Sequence, residues 1–367
     1  MIRKVINKIS GGDFSEIDYM NFVLEASASS ARFDSVVEHE GDSRYITRGV
    51  IHSMLVMPFG SGKTSLFVSV KEAISAHDIS FPGLIGTITK EGELIESEVM
   101  KAAGKILIID EFQKLSIDVR NAMNSILEYP HVYTRTLGYR IRNRVVKRGK
   151  YYRVVAKRDS NMFEIYSRFS CIAGGMYVNT RKTISKAWFS RFIPIRMHPS
   201  VDWYEKLSRG EKIIFINPKL RELKFEFNNY LDFHSIYWDL IKSSDILKYF
   251  SARPEERGYL VRCLQDLVRL SAFVASLDNS AEINDEYMVS LSVLPNILAS
   301  YIFSDLDEVD MCILNKWPNL NQTELASEFG LTQAAISTRI RVLKEEGLLG
   351  LKTGIFDKLK KIIASRT

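Results

Sequence analysis

The segment from residue 57 to residue 65 places glycine, lysine and hydroxyl side chains at the spacing that phosphate binding requires. An apolar run at residues 51–56 leads into Met57-Pro-Phe-Gly-Ser-Gly-Lys-Thr-Ser65, and an apolar helical pattern follows. Backbone N–H groups at such a helix start bind phosphates, the lysine reaches the β and γ oxygens, and the threonine hydroxyl binds Mg²⁺. We therefore predict ATP and Mg²⁺ as ligands. The predicted nucleotide contacts are Pro58, Phe59, Gly60, Ser61, Gly62, Lys63, Thr64 and Ser65.

Met57 stands where the phosphate-binding pattern usually has its first glycine. The position ends the predicted strand, so a side chain is tolerated there if φ stays negative. The alternative interpretation is a glycine-rich turn in which the Lys-Thr pair occurs by chance.

Two adjacent carboxylates form the second half of the predicted ATP site. Residues 106–109 are an apolar tetrad that predicts a buried strand, and Asp110 and Glu111 follow it directly. Open parallel sheets bind ligands at the carboxyl ends of their strands, so we expect these acids beside the 57–65 loop. Asp110 is predicted to hold Mg²⁺ together with Thr64, and Glu111 to orient and deprotonate the attacking water. Lys63, Asp110 and Glu111 are therefore candidate catalytic residues.

Further motifs follow these two in a characteristic order. Together with these two, they lie at residues 48–64, 102–115, 119–128, 187–192, 262–271 and 282–291. In this order they resemble the AAA+ module of the minichromosome maintenance (MCM) replicative helicases, over roughly residues 48–300. The resemblance implies that Arg191, in Ala187-Trp-Phe-Ser-Arg-Phe192, is an arginine finger, and that Arg262 is the sensor-2 arginine. From the residues alone, Arg191 can also be an ordinary surface or salt-bridged arginine.

The resemblance also implies an activity and its partners. Such a chain is an ATP-dependent helicase or translocase in DNA replication, assembled as a homohexamer on single-stranded or forked DNA, with ATP hydrolysed at subunit interfaces. Met176 stands at the family's sensor-1 asparagine, and Asn179 lies three residues further on. The family's large amino-terminal DNA-binding tier does not fit into the roughly 45 residues before the resemblance. We therefore expect a cytoplasmic, prokaryotic, viral or mobile-element version with a replication partner protein.

A strongly basic segment is the main candidate for DNA contact. Residues 131–158 contain ten Lys or Arg and no acid, with tyrosines interleaved. Two strands around a turn at Gly149 are predicted, where the family has its presensor-1 hairpin. A solvated edge hairpin is the alternative. A second hairpin is predicted at residues 86–95, with Lys90 at its turn. The candidate DNA contacts in the basic segment are Arg140, Arg142, Arg144, Lys147, Arg148, Lys150 and Arg153.

The last sixty residues resemble a winged helix-turn-helix domain. Helices are predicted at residues 309–317, 321–330 and 332–344, and a wing at 347–354. The third helix would present Arg339 and Arg341 to DNA. A regulatory or protein-docking role is the alternative.

Composition limits the other possibilities. The 367 residues are 46% apolar and 26% charged, and Lys plus Arg (50) exceed Asp plus Glu (44) for a net charge of +6. No run approaches the roughly 18 apolar residues of a bilayer span, so we expect no membrane partner. Three widely separated cysteines disfavour a disulfide framework and a Cys-rich zinc site.

We therefore predict an α/β fold of the AAA+ P-loop ATPase class, with a parallel sheet, β-hairpin inserts, a helical lid and a C-terminal winged helix-turn-helix. The predicted domains are an amino-terminal helical extension (1–45), the ATPase core (46–200) with a basic hairpin (131–169), the lid (201–303) and the winged helix (304–367).

Two other functions remain open from the sequence. One is an origin-binding initiator or helicase loader that uses ATP as an assembly switch. The other is a nucleotide-switched transcription factor that hydrolyses ATP poorly, which the Met57 and Met176 positions favour.

Overall fold

The computed structural model is a mixed α/β structure. It describes residues 15–40, 43–76, 80–175, 189–211, 216–227, 230–244, 246–247, 250, 257–284, 291–303, 306–349, 359 and 361–363. Within those ranges, no helix combines the length and the apolar composition needed to cross a bilayer.

The strands and helices of the described residues are numbered in chain order. The strands are β1 (Ser35–Glu40), β2 (Ser43–Arg48), β3 (Ser53–Val56), β4 (Ala73–Ser75), β5 (Thr87–Ile88), β6 (Leu94–Ile95), β7 (Ile106–Ile109), β8 (Val132–Thr136), β9 (Val145–Arg148), β10 (Tyr152–Ala156), β11 (Met162–Ser167), β12 (Ser170–Gly175), β13 (Ile193–Arg196), β14 (Phe225–Phe227) and β15 (Glu282–Ile283). The helices are α1 (Glu16–Ser29), α2 (Lys63–Val68), α3 (Phe81–Leu84), α4 (Glu98–Lys101), α5 (Ile117–Ile126), α6 (Val201–Ser208), α7 (Tyr230–Ser243), α8 (Gly258–Leu277), α9 (Leu294–Phe303), α10 (Glu308–Lys316), α11 (Gln322–Phe329) and α12 (Gln333–Glu345).

A parallel sheet in the order β13-β3-β12-β7-β4 lies at the centre of the fold. β3 and β7 are buried at every position, and apart from Ser53 their residues are apolar, because a parallel sheet is covered on both faces. The predicted parallel sheet is confirmed. From β3 the chain moves to β4, β7 and β12 on one side, and then crosses to β13 on the other side. Such a reversal leaves a crevice at the carboxyl end of β3.

Helix α1 belongs to the core of this sheet. The Tyr19 hydroxyl donates a hydrogen bond to the Pro194 carbonyl of β13 at 2.8 Å. Phe22 packs edge-to-face on Phe273 of α8, with 5.7 Å between ring centroids. The helical prediction for residues 1–45 is confirmed for Glu16–Ser29. It is wrong for Ser35–Glu40, because this segment pairs as β1 with β14 and β2.

Four helices of the described residues, α6 to α9, follow β13, and two strands between them belong to a second, smaller sheet. α8 is a twenty-residue helix that is buried along most of its length, and α9 packs against both α8 and β13. The sheet has the order β15-β14-β1-β2. Its strands β14 and β15 interrupt the predominantly helical segment, because β14 pairs in parallel with β1 from the distant amino-terminal part of the chain.

The basic segment forms a four-stranded antiparallel ribbon in the order β8-β11-β10-β9. The predicted turn at Gly149 is confirmed, since its N–H donates to the Tyr152 carbonyl at 2.9 Å between β9 and β10. The first strand of this hairpin, predicted to start at residue 139, begins only at Val145, and residues 139–144 form a loop.

The loop at 139–144 lies against the β5–β6 hairpin. The Arg142 N–H donates to the Lys90 carbonyl at 2.9 Å, and the Asn143 amide donates to the Glu91 carbonyl at 2.7 Å. The first of these bonds uses the backbone N–H of Arg142, which a β-ladder would otherwise need, so this segment contacts the hairpin and β9 begins only at Val145. The hairpin predicted at 86–95 is confirmed.

Helices α10, α11 and α12 pack together at the carboxyl end. Asn321 and Glu324 form a capping box at the start of α11, and Gly330 ends it with φ 62°. The Thr332 hydroxyl caps α12 by accepting from the Ala335 N–H at 3.2 Å. The three predicted helices are confirmed, and the wing lies largely outside the described residues.

Candidate functional site

The loop at residues 57–65 connects β3 to α2 at the carboxyl edge of the central sheet. Gly60 and Gly62 have φ values of 72° and 84°, in the left-handed region that favours glycine. Met57 is fully buried, and its φ lies outside the positive, left-handed region. This is the condition under which a side chain is tolerated at this position. Phe59, Thr64 and Ser65 are exposed. The loop therefore presents its backbone and hydroxyl groups towards solvent at the crevice.

A hydrogen bond joins this loop to the end of β7. Thr64 Oγ1 donates to Asp110 Oδ2 at 2.7 Å, and Asp110 Oδ1 accepts from the Glu111 N–H at 3.0 Å. β12 lies between β3 and β7 in the sheet, so this bond links the helix that follows β3 to the residue that follows β7. One hydroxyl and one carboxylate at this distance are suitable protein ligands for a Mg²⁺ ion that also binds substrate phosphates.

Lys63 turns back onto its own loop. Its ammonium donates to the carbonyls of Met57 and Pro58 at 3.0 and 2.9 Å. Burial lowers the pKa of Lys63, and the charges of Asp110 and Glu111 oppose that effect. The ammonium is therefore held beside the loop by two neutral acceptors, which an anionic phosphate oxygen can replace.

Glu111 has a left-handed backbone with φ 53°. Non-glycine residues in this region cost of the order of 1–2 kcal/mol and cluster at functional sites. Its carboxylate is exposed and forms an ion pair with Lys114. A carboxylate in this place can accept a proton from a water molecule at the crevice.

Helix α6 supports the loop from behind, which sequence reasoning missed. The buried Trp203 indole N–H donates to the Ser61 carbonyl at 2.9 Å. A Cβ at Gly62 would lie 2.7 Å from Leu207 Cδ2. Gly62 is therefore required both by its φ and by this close approach. A tryptophan and a leucine four positions apart on a helix are an ordinary core pattern, so no local signal marked them.

Two glycines at the end of β12 allow aromatic rings to approach the site. A Cβ at Gly174 would lie 2.6 Å from Phe67 and 3.1 Å from Asp110 Oδ1. A Cβ at Gly175 would lie 2.1 Å from the Phe112 ring. The glycines thus fix the position of the acidic segment that follows β7. The predicted sensor-1 position, Met176, and Asn179 lie outside the described residues.

Arg191 and Arg262 lie at the opposite edge of the central sheet. Ile193 pairs with Ser53, so Arg191 precedes the amino ends of β13 and β3, whereas the 57–65 loop follows the carboxyl end of β3. Arg191 Nε donates to the Asn124 carbonyl at 3.2 Å, and Arg262 lies 3.2 Å from Glu128 on the same side. The four residues of β3 span about 13 Å. The two predicted arginines come together, but away from the loop of their own chain.

The seven cations of the basic ribbon that are predicted to contact DNA fall into two groups. Lys147 pairs with Glu96, Lys150 with Glu222 at 2.7 Å, and Arg153 with Glu164 at 2.8 Å. The second group is exposed and has no acidic partner within 4 Å among the described residues. It consists of Arg140, Arg142, Arg144 and Arg148. Lys90 is also exposed beside this second group, on the hairpin that the 139–144 loop contacts.

In the carboxyl-terminal helices, Arg341 is exposed and Arg339 is partly buried. One Arg339 guanidinium nitrogen lies 2.7 Å from Asp307 and 2.7 Å from Asp310 at the start of α10. A DNA contact from Arg339 stays a prediction, and it would have to compete with these two carboxylates. Gln333, Ser337 and Arg341 are exposed on α12.

No three His, Cys, Asp or Glu side chains of the described ranges form a metal-binding cluster.

The comparison with known families identifies one region of the chain. Residues 311–349 match the model of the winged helix-turn-helix DNA-binding family. This range begins within α10 and includes all of α11 and α12. The chain therefore carries a C-terminal winged helix-turn-helix, and DNA binding is the role that the family description gives to it. No curated protein matches the chain at a significant level.

Proposed function

We propose that this chain is an ATP-driven DNA motor of the AAA+ class, similar to MCM helicases, which hydrolyses ATP between its own copies. The observation that carries the proposal is the 2.7 Å hydrogen bond between Thr64 and Asp110. It brings a glycine-rich, lysine-containing loop and an acidic strand end to one edge of a parallel sheet. This is the donor set that a nucleoside triphosphate with a divalent cation requires.

In this proposal the loop binds the nucleotide. The N–H groups of residues 60–65 surround the phosphates, and Lys63 exchanges the carbonyls of Met57 and Pro58 for β and γ oxygens. Thr64 and Asp110 hold Mg²⁺, which neutralises charge that develops on the phosphates during transfer. Glu111 orients the attacking water and accepts its proton. Trp203 keeps the loop in place through its bond to Ser61.

The arginines are assigned to a neighbouring copy. Arg191 and Arg262 lie together at the opposite edge of the sheet from their own loop, and this arrangement supports a role across an interface. An arginine supplied in this way stabilises transition-state charge and makes hydrolysis depend on assembly. A closed ring satisfies every site at once, and a hexamer is the form that the resemblance implies.

DNA contact is assigned to the basic ribbon and to the helix-turn-helix. Arg140, Arg142, Arg144 and Arg148 are exposed guanidinium groups on the ribbon side of the molecule. Such a surface suits the phosphates of a single strand, with tyrosines available for stacking on bases.

Strand displacement tests the motor. Wild-type protein should unwind a forked duplex when ATP and Mg²⁺ are present, and Lys63→Ala should abolish the unwinding. Lys101→Ala, which removes an exposed lysine from α4, is the matched control and should unwind normally. Unwinding that persists in Lys63→Ala would contradict the proposal.

An origin-binding initiator or helicase loader is the second candidate. The match of residues 311–349 to a DNA-binding family favours it, because such domains read duplex sites. Footprinting on duplex DNA separates the two functions. Site-specific protection without ATP-driven unwinding would support the initiator and contradict the motor.

A further inference from the structure

Six charged side chains meet at the amino-end edge of the central sheet, and we call them the arginine cluster. They come from β2, the segment after α5, the link before β13, and helix α8. The members are Arg48, Glu128, Arg191, Arg262, Asp266 and Arg269. Arginines outnumber carboxylates by two in this cluster, so it has an excess of positive charge.

Two arginines of the cluster are buried and firmly bonded. Arg269 lies 2.7 Å from Asp266, whose second oxygen accepts from the Tyr301 hydroxyl at 3.1 Å. Arg48 donates to the Leu127 carbonyl at 2.8 Å and to the Arg191 carbonyl at 2.6 Å. These directional bonds give Arg48 and Arg269 structural roles. In particular, Arg48 fixes the backbone that carries Arg191.

Glu128 is held differently. Guanidinium nitrogens of Arg262, Arg48 and Arg191 lie 3.2, 3.5 and 3.8 Å from its Oε1 atom. None of these approaches is a hydrogen bond, and Oε1 is a buried oxygen without a hydrogen-bond donor among the described residues. Well-formed bonds between guanidinium and carboxylate are shorter, about 2.7–2.9 Å. The carboxylate is therefore held mainly by charge, without the directional bonds that would fix it.

The charge on Glu128 is nevertheless secure. Burial raises its pKa, but Arg48, Arg269, Arg262 and Arg191 lower it by more in total, so the pKa of Glu128 is lowered overall. The group is thus an anion surrounded by arginines, while Arg191 and Arg262 direct hydrogen bonds to other acceptors, the Asn124 carbonyl at 3.2 Å and the Gln265 side-chain oxygen at 3.1 Å. A terminal phosphate has more charge and more acceptor oxygens than one carboxylate, so it can bind the same guanidinium groups better.

We propose that Glu128 is an exchangeable counterion that holds Arg191 and Arg262 together in the separate subunit and gives them up to the terminal phosphate of a neighbour's nucleotide. The inference rests on the proposed function, because it needs a nucleotide at the interface. Glu128 is a positioning residue in this scheme. It gathers the two arginines before assembly, and its attraction for them opposes their transfer to the phosphate.

The test compares assembly driven by two nucleotides. Glu128→Gln keeps the shape of the side chain and removes the competing charge. The protein concentration for half-maximal assembly with a non-hydrolysable ATP analogue should fall by about fivefold or more relative to wild type. The same midpoint with ADP should not fall, because ADP lacks the terminal phosphate. Mass photometry measures both midpoints.

The ATP–ADP difference separates this role from a merely structural one. If Glu128 only stabilised the fold, Glu128→Gln would raise both midpoints together, and that result would overturn the proposal. Glu98→Gln, which removes a partly buried carboxylate paired with Lys101 at 2.9 Å, is the control and should leave both midpoints unchanged.

A second variant keeps the proposal testable if Glu128→Gln does not fold. Glu128→Asp retains the charge but withdraws it from the arginines, so its midpoint with the ATP analogue should lie between those of wild type and Glu128→Gln. If the glutamine variant does not fold, an aspartate variant with the wild-type midpoint overturns the proposal.

If wild type itself does not assemble with the ATP analogue, the proposed function has failed and the exchange falls with it. If wild type assembles and the midpoints do not separate, only the exchange is refuted.

Discussion

The division of the ribbon cations into paired and unpaired groups predicts which of them bind DNA. Arg142 and Arg144 are exposed and have no acidic partner within 4 Å among the residues described. Lys147 and Lys150, on the same ribbon, are paired with glutamates. We therefore expect Arg142→Gln/Arg144→Gln to weaken binding of single-stranded DNA far more than Lys147→Gln/Lys150→Gln, although each double variant removes two positive charges.

The size of the effect follows from counterion release. Each phosphate neutralised on a single strand contributes about −0.7 to the slope of log affinity against log salt, so four unpaired arginines give a slope of about −2.8. The arginine double variant should retain about −1.4. Between 50 and 200 mM salt, wild type should thus lose about 50-fold in affinity and the arginine variant about 7-fold. The lysine double variant should keep a slope near that of wild type, since the two ammonium groups that it removes are already paired with carboxylates in the wild type.

Fluorescence anisotropy with a labelled single-stranded oligonucleotide, titrated at a series of salt concentrations, measures these slopes. A single-stranded probe is chosen because helix-turn-helix domains read duplex grooves. Equal changes of slope in the two double variants would refute the assignment, because pairing would then have no influence on DNA contact. An unchanged slope in the arginine variant would remove the ribbon from the DNA interface altogether.

Three further predictions concern the fold and the loop. Burial lowers the pKa of His131 to about 4 from 6.5. The contribution of its neutral imidazole to the free energy of unfolding is therefore fully present above pH 6.5 and decreases by about 1.4 kcal/mol per pH unit towards pH 4. Denaturant titrations at several pH values should show this pH dependence smaller by one proton in His131→Asn than in wild type, and an equal pH dependence would contradict the assignment. Gly175→Ala places a Cβ 2.1 Å from Phe112 and should lower the free energy of unfolding by about 1–3 kcal/mol. Gly258→Ala, where no atom lies within 4 Å of the added Cβ, should be tolerated, and equal losses in both would argue against overpacking. Trp203→Phe removes a hydrogen bond to the 57–65 loop and should raise the KM for ATP by about 2- to 10-fold with little change in kcat. A large loss of kcat with an unchanged KM would contradict a supporting role.

Features with a local signal could be predicted from the sequence. The 57–65 loop, the acidic end of β7 and the caps at Asn321 and Thr332 each depend on residues close together in the chain. The proximity of Thr64 and Asp110 followed from a general rule, since the carboxyl ends of parallel strands meet at one edge.

Features that depend on distant contacts could not be predicted. Arg339 has the sequence context of a DNA-reading residue, and only the fold brings Asp307 and Asp310 to it. The sequence predicts that residues 35–40 belong to a helical extension, whereas pairing with β14 makes this segment a strand. Glu128 is a single acid just after α5, and its three arginine neighbours come from three other parts of the chain.

The most direct test of the central claim, that one ATP site is shared between two copies, is the ATPase activity of mixed variants. Arg191→Ala and Glu111→Gln should each lose activity, by about 10³-fold for the arginine. In a mixture, an interface that combines the loop and Glu111 of the first variant with Arg191 of the second is complete, so activity with single-stranded DNA should return. Full activity of Arg191→Ala alone, or a mixture as inactive as its components, would contradict the shared site.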